Sequence, residues 1–164
     1  MAPYVTEVLL WLFVINLGIA FGAGLYESRI AVPQWLSFSP ESGYCWNAAA
    51  ARQADVGRRF WVYVDTVPLS LLTLASLVAA WWTHEAVRYW WLGAAAAALA
   101  ERTMTGSYFI PTMVKLMQNQ HPSESQAAAT ALQWMRLGYV RLAVALLAWL
   151  AALKAFSLLY AQSG

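Results

Sequence analysis

Glu101 and Arg102 stand side by side near the middle of an apolar stretch that runs from Val87 to Met117. An ionisable side chain at bilayer depth costs roughly 2.5–3.5 kcal/mol on insertion scales, and such residues face a bundle interior or a wet cavity. Asp65 and Arg141 fall at comparable depth in two other apolar stretches. Two acids and two bases can neutralise one another as pairs, Glu101 with Arg141 and Asp65 with Arg102, and so fix helix register. They can equally line a polar pocket, where a buried carboxylate serves as general base and a guanidinium stabilises a developing anion. A buried ion pair is weak evidence for stability, because desolvation offsets much of its attraction. Two pairs gathered near two helix-breaking prolines, Pro68 and Pro111, and a tyrosine, Tyr108, favour the pocket.

The spacing supports a shared site. Glu101, Thr105, Tyr108 and Thr112 stand at i, i+4, i+7 and i+11, one helical face. Trp61 shares a face with Asp65, as Trp134 and Gly138 do with Arg141. Asp65 lies about 8 Å inside Phe60, and Arg141 about 8 Å beyond Arg136, at the helical rise. The expected catalytic candidates are therefore Glu101, Asp65, Arg102, Arg141 and Tyr108. Trp61, Thr105, Trp134 and Asn16, the last near the centre of the first apolar run, are the expected ligand contacts. No metal and no cofactor is expected. His84, His121 and the single cysteine, Cys45, lack metal-ligand spacing, and no glycine-rich phosphate loop is present. Ser70, Ser76 and Ser107 have no histidine at a spacing useful for hydrolase chemistry.

The elements that must position these residues are read from composition. The chain has 164 residues, of which 61% are hydrophobic and 11% charged, against about a quarter charged in a soluble domain. Its mean hydropathy is +0.50, and the apolar residues fall in four long blocks rather than alternating runs. The net charge of +2 is too small to suggest nucleic acid. Ten tryptophans and eight tyrosines suit aromatic belts at the membrane boundaries. The N-terminal run resembles a secretory signal only superficially. Glu7 is its only charged side chain and Val8 to Leu25 is long for a signal core, so it reads as a retained span.

The expected fold is all-α: a transmembrane four-helix bundle, up-down-up-down, in one domain over residues 1–164, with spans at about 5–26, 60–82, 88–115 and 136–160. The first span holds Gly18 and Gly22 at GxxxG spacing, repeated by Ala20 and Gly24, which lets helices pack closely in lipid. Pro68 frees the Val64 carbonyl and Pro111 that of Ser107, so kinks are expected there. The connection 28–57 contains the turn cluster Ser39-Pro40-Glu41-Ser42-Gly43, but its aromatic residues are too apolar for a free loop. It reads as an interfacial amphipathic cap between the first two spans, with Asn47 capping a short helix from Ala48 to Asp55. The first and third connections with their flanks hold Arg29, Arg52, Arg58, Arg59, Lys115 and Arg136. The positive-inside rule places that side in the cytoplasm and both termini outside; the expected location is a bacterial inner membrane.

Four segments together resemble a known group of proteins. They are Gly22 to Pro33 (GAGLYESRIAVP), Arg59-Phe60-Trp61, the run Glu101 to Leu116 (ERTMTGSYFIPTMVKL), and Trp134 with Arg141. In these the chain is similar to the anthrone-oxygenase-like family of small four-helix integral membrane proteins, most of whose bacterial members have no assigned function. One departure is Met113, where the family often has asparagine two residues after the proline. The resemblance implies cofactor-independent oxygenation of a small lipophilic molecule that enters from the bilayer. Asp65 or Glu101 would remove a proton, and Arg102, Arg141 or Tyr108 would stabilise the anion that reacts with dioxygen. Other readings stay open. The charges could serve a small transporter, or the small-residue faces could join a homo-oligomer or a membrane-protein partner as a non-catalytic subunit.

Overall fold

The computed structural model describes residues 3–41 and 43–161; Ser42 of the expected turn cluster lies outside the described residues. The described chain is mostly helical. Helix α1 (Pro3–Tyr26) runs through a π-helical turn, π1 (Glu27–Ala31), into α2 (Val32–Trp35). A hairpin of β1 (Leu36–Ser39) and β2 (Gly43–Trp46) follows, then α3 (Ala48–Ala54). A longer π segment, π2 (Gly57–Thr66), leads into α4 (Val67–Trp81). The third rod joins α5 (Glu85–Met104), π3 (Thr105–Phe109) and α6 (Ile110–Met117), and α7 (Glu124–Ala161) is the fourth.

Among the described residues, three rods are long and apolar enough to cross a membrane: Tyr4–Trp35, Gly57–Trp81 and Glu124–Ala161. The rod over 85–117 is not among them, since Arg88, Glu101, Arg102 and Lys115 lower its hydropathy. A helix in water turns one apolar stripe inward and shows charge outside. Here the outer faces are apolar too: Leu12, Ile15 and Ile19 on α1, Leu71, Leu74 and Val78 on α4, and Leu147 and Leu150 on α7 are exposed. Helices apolar on all sides are compatible with a membrane location.

Helix α1 lies against α4 and α7, and α5 lies against the same two. Their shared core surrounds the fully buried Trp91 with Leu10, Phe13, Leu17 and Leu69, and with alanines 94, 95, 98, 148, 152 and 155. Alanine leaves backbones free to approach closely, so dispersion contacts accumulate between the helices. The glycines of α1 act in part as expected. A Cβ on Gly18 would stand 3.1 Å from Trp149, and one on Gly24 would stand 2.6 Å from Leu142, whereas Gly22 has open space.

Each π segment ends just before a proline, Pro33, Pro68 or Pro111, at the second residue of the next α-helix. Proline brings no N–H to the carbonyl four residues earlier, and its ring crowds that carbonyl. A widened turn with i→i−5 hydrogen bonds relieves both problems. The N–H groups of Val32, Val67 and Ile110 donate to the carbonyls of Glu27, Val62 and Thr105 in this way. The Val64 carbonyl, freed by Pro68, receives Asn16 Nδ2 at 3.3 Å.

The connection 28–57 differs from expectation. The first rod does not stop at Tyr26 but continues to Trp35, and Leu36 pairs with Trp46 and Ser39 with Gly43 in an antiparallel hairpin. So short a pair of strands, split by a turn cluster, gave no readable alternation. Gly43 adopts φ +74, a conformation in which a side chain would be strained. Asn47 caps α3 as its position implies, accepting the Ala50 N–H at 2.9 Å. The hairpin and α3 are tied to the end of the third rod. The Trp46 indole donates to the Leu116 carbonyl at 3.1 Å, and Arg52 donates to that of Met117 at 2.6 Å. These carbonyls belong to the last turn of α6, where the regular i→i−4 donors run out. The last helix runs from Glu124 to Ala161, close to the expected start near Ser125 and end near Tyr160, and contains the expected span 136–160.

Candidate functional site

The π turns carry the polar residues inward. Glu27 lies on π1, Asp65 on π2 and Thr105 on π3, and all are buried. Glu101 and Arg102 close α5, and Arg141 reaches them from α7. Arg102 Nη1 donates to Asp65 Oδ2 at 2.6 Å, and the same guanidinium also grips Glu101 Oε2. Thr105 Oγ1 donates to Glu101 Oε1 at 3.0 Å. Arg141 stands 3.8 Å from Glu101 and 3.4 Å from Glu27, whose other oxygen accepts the Trp61 indole N–H at 2.9 Å. Both ion pairs suggested by the sequence are present, joined into one network by the Arg102–Glu101 contact and extended to Glu27 through Arg141.

The two arginines are held differently. Arg102 spends its donors on two tight carboxylate contacts. Arg141 has only the longer contacts, and its guanidinium carbon sits 4.4 Å over the Phe109 ring and 5.9 Å from that of Trp61. Such cation–π contacts add about 0.5–2 kcal/mol. Among the carboxylates, Asp65 is unequal to the rest: it is 2% exposed, and its Oδ1 has no hydrogen-bond partner. A buried acceptor without a donor costs about 1–3 kcal/mol.

A cavity of about 280 Å³ lies against this network. Glu27, Asp65, Thr105 and Arg141 form its polar end. Trp35, Trp61, Phe109, Met113 and Trp134 supply apolar wall, and Ala51, Asp55 and Val56 line it from the segment around α3. The second and third rods pack closely along α4 and α5 but not along π2 and α6. Val62, Ile110 and Val114 line the cavity there and are also exposed on the outer surface. The cavity therefore reaches the outside between those two rods, at a greasy rim. Behind the network, Glu101, Arg102 and Arg141 border a crevice of about 10 Å³, the size of one water.

Of the residues singled out from sequence, Asp65, Arg141, Trp61, Thr105 and Trp134 line the cavity. Glu101 and Arg102 stand behind it. Tyr108 is half-buried beside it, edge-on to Phe109 at 5.3 Å, and Asn16 serves the Val64 carbonyl instead. The π turn explains Tyr108. Counting i, i+4, i+7 from Glu101 assumes regular helix, and the extra residue in π3 brings Phe109 and Met113 to the cavity in place of Tyr108 and Thr112. Trp134 is pinned by its indole N–H to the Phe109 carbonyl at 3.0 Å. Glu27 was missed because its charge marked the end of the first apolar run. The readable signal was its position six residues before Pro33, matching the way Thr105 precedes Pro111.

Among the described residues no group of three or more His, Cys, Asp and Glu side chains is placed to hold a metal ion. What the arrangement can do is bind a small, largely apolar molecule beside the Asp65 carboxylate and one loosely held guanidinium. No family profile, curated protein or solved structure matches the chain.

Proposed function

We propose that this is an integral membrane protein that holds a small lipophilic molecule in the cavity between its second and third rods. Four spans run up-down-up-down, the hairpin and α3 cap the bundle at the interface, and both termini lie outside a bacterial inner membrane. The third rod joins the spans because its mid-helix charges are turned inward and paired. What carries the reading is the cavity itself, with apolar walls, a rim exposed where hydrocarbon would lie, and a polar end formed by Glu27, Asp65 and Arg141. Extraction of protein purified in mild detergent, followed by mass spectrometry, tests it. A low-mass lipophile at near one per chain, lost in Met113→Trp, is the expected result. Wild-type protein and Met113→Trp releasing the same lipids would reject it.

The free Oδ1 of Asp65 favours a second reading, oxygenation of the anthrone-oxygenase-like kind. Asp65 would take a proton from an activated ring carbon, Arg141 would steady the resulting anion, and dioxygen would add at that carbon as a hydroperoxide, which loses water to leave the new carbonyl. Glu101, Arg102 and Thr105 then position Asp65 and Arg141 rather than touch substrate, and Tyr108 stands aside. Oxygen uptake with an anthrone, abolished by Asp65→Asn, would support it. Uptake no greater than with empty micelles would remove it.

A further inference from the structure

The charges around the cavity do not balance. Its lining carries Glu27, Asp55 and Asp65 against Arg58 and Arg141. Asp55 and Arg58 satisfy one another at the mouth, 2.9 Å apart. Directly behind, Glu101 faces Arg102. Taken together, four carboxylates meet three guanidiniums. The neighbouring cations Arg52 and Arg59 are exposed and do not line the cavity, and Arg52 is engaged with the Met117 carbonyl. The surplus has an address, because Arg102 occupies Asp65 Oδ2 while Oδ1 is without a partner.

We infer that the occupant of this cavity is a lipophilic amine in its ammonium form, its charged head beside Asp65 and its apolar body among the aromatic walls. The inference rests on the reading of the cavity as a ligand site and narrows it to one chemical class. An ammonium supplies both things the site lacks, a positive charge and N–H donors. An alcohol supplies the donor alone, and a carboxylic acid adds a second surplus negative charge. The indoles of Trp35 and Trp61 line the same space, and indole is the aromatic group that attracts cations best. The volume of about 280 Å³ is at the small end for ligand pockets and suits one ring system or one chain. That points to a free amine rather than the headgroup of a two-chain lipid.

The test uses the full chain in phosphatidylcholine nanodiscs, with empty nanodiscs subtracted. Naphthylmethylamine, naphthylmethanol and naphthoate, nearly equal in shape, are compared by equilibrium dialysis at neutral pH. The amine is expected to bind about tenfold tighter than the alcohol, as a charge-assisted hydrogen bond allows, with naphthoate weakest. Asp65→Asn and Glu27→Gln should each bring amine and alcohol to within about twofold of one another. Retained alcohol binding shows that a variant is folded, and Glu27→Gln leaves both contacts of Arg102 in place should Asp65→Asn fail to fold. Wild-type protein binding the alcohol as well as the amine overturns the inference while leaving the cavity reading intact. No binding of any of the three overturns both. Amine affinity unchanged in phosphatidylethanolamine nanodiscs supports a free amine, and its loss there would assign the site to a lipid headgroup instead.

Discussion

The two halves of the rods follow opposite packing rules. Around Trp91, α1, α4, α5 and α7 are regular helices, and alanines let them close on one another without a gap. At the other end, three of the rods carry a π turn followed by a proline. There the second and third rods stand apart, aromatic side chains line the space between them, and the buried carboxylates Glu27, Asp65 and Glu101 are collected. The same chain thus builds one end for cohesion and the other for room. Proline is what divides them: by denying a regular hydrogen bond it forces the wider turn, and the wider turn redirects Glu27, Asp65 and Thr105 inward.

Substitutions at the two ends should therefore behave differently. The largest effect is expected from Arg102→Leu, which strands Asp65 and Glu101 together and should cost about 3–5 kcal/mol, read by unfolding in mixed micelles. A loss below about 1 kcal/mol would mean that the network is wet rather than buried. Next comes a matched pair of enlargements. Ala152→Leu in the alanine seam should cost about 1–3 kcal/mol by overpacking. Met113→Trp, which projects into empty space, should cost less than about 1 kcal/mol. Equal penalties would erase the contrast between the ends.

Smaller effects sharpen the role of the π turns. Pro68→Ala returns an N–H to the helix and lets π2 relax, so ligand affinity should fall while stability moves by no more than about 1 kcal/mol. An unchanged affinity would show that the proline does not set the cavity's shape. Asn47→Ala removes only the cap of α3 and should cost about 1 kcal/mol without touching the rods; a melting curve settles it.

The sequence disclosed some of this and concealed the rest for definite reasons. Apolar runs were legible, as were the pairs Asp65–Arg102 and Glu101–Arg141, because an unpaired charge buried among apolar helices is too costly to leave alone. The Asn47 cap was legible because its chemistry is local. Glu27 was not, since a carboxylate after a long apolar run looks like the end of a span, and only the fold shows it meeting Arg141. Tyr108 was misplaced by assuming a period that Pro111 breaks. The hairpin at 36–46 was invisible because its strands are held by docking, with Trp46 on the Leu116 carbonyl, rather than by a pattern of their own.

The central claim is that the proline-bearing end holds a vacancy that an apolar molecule fills. Equilibrium dialysis of naphthylmethanol against wild-type protein and Met113→Trp tests it most directly. Saturable binding at one molecule per chain, abolished in the variant at an unchanged melting temperature, is the predicted result. Identical binding to both proteins, or partition no greater than into protein-free micelles, would contradict it.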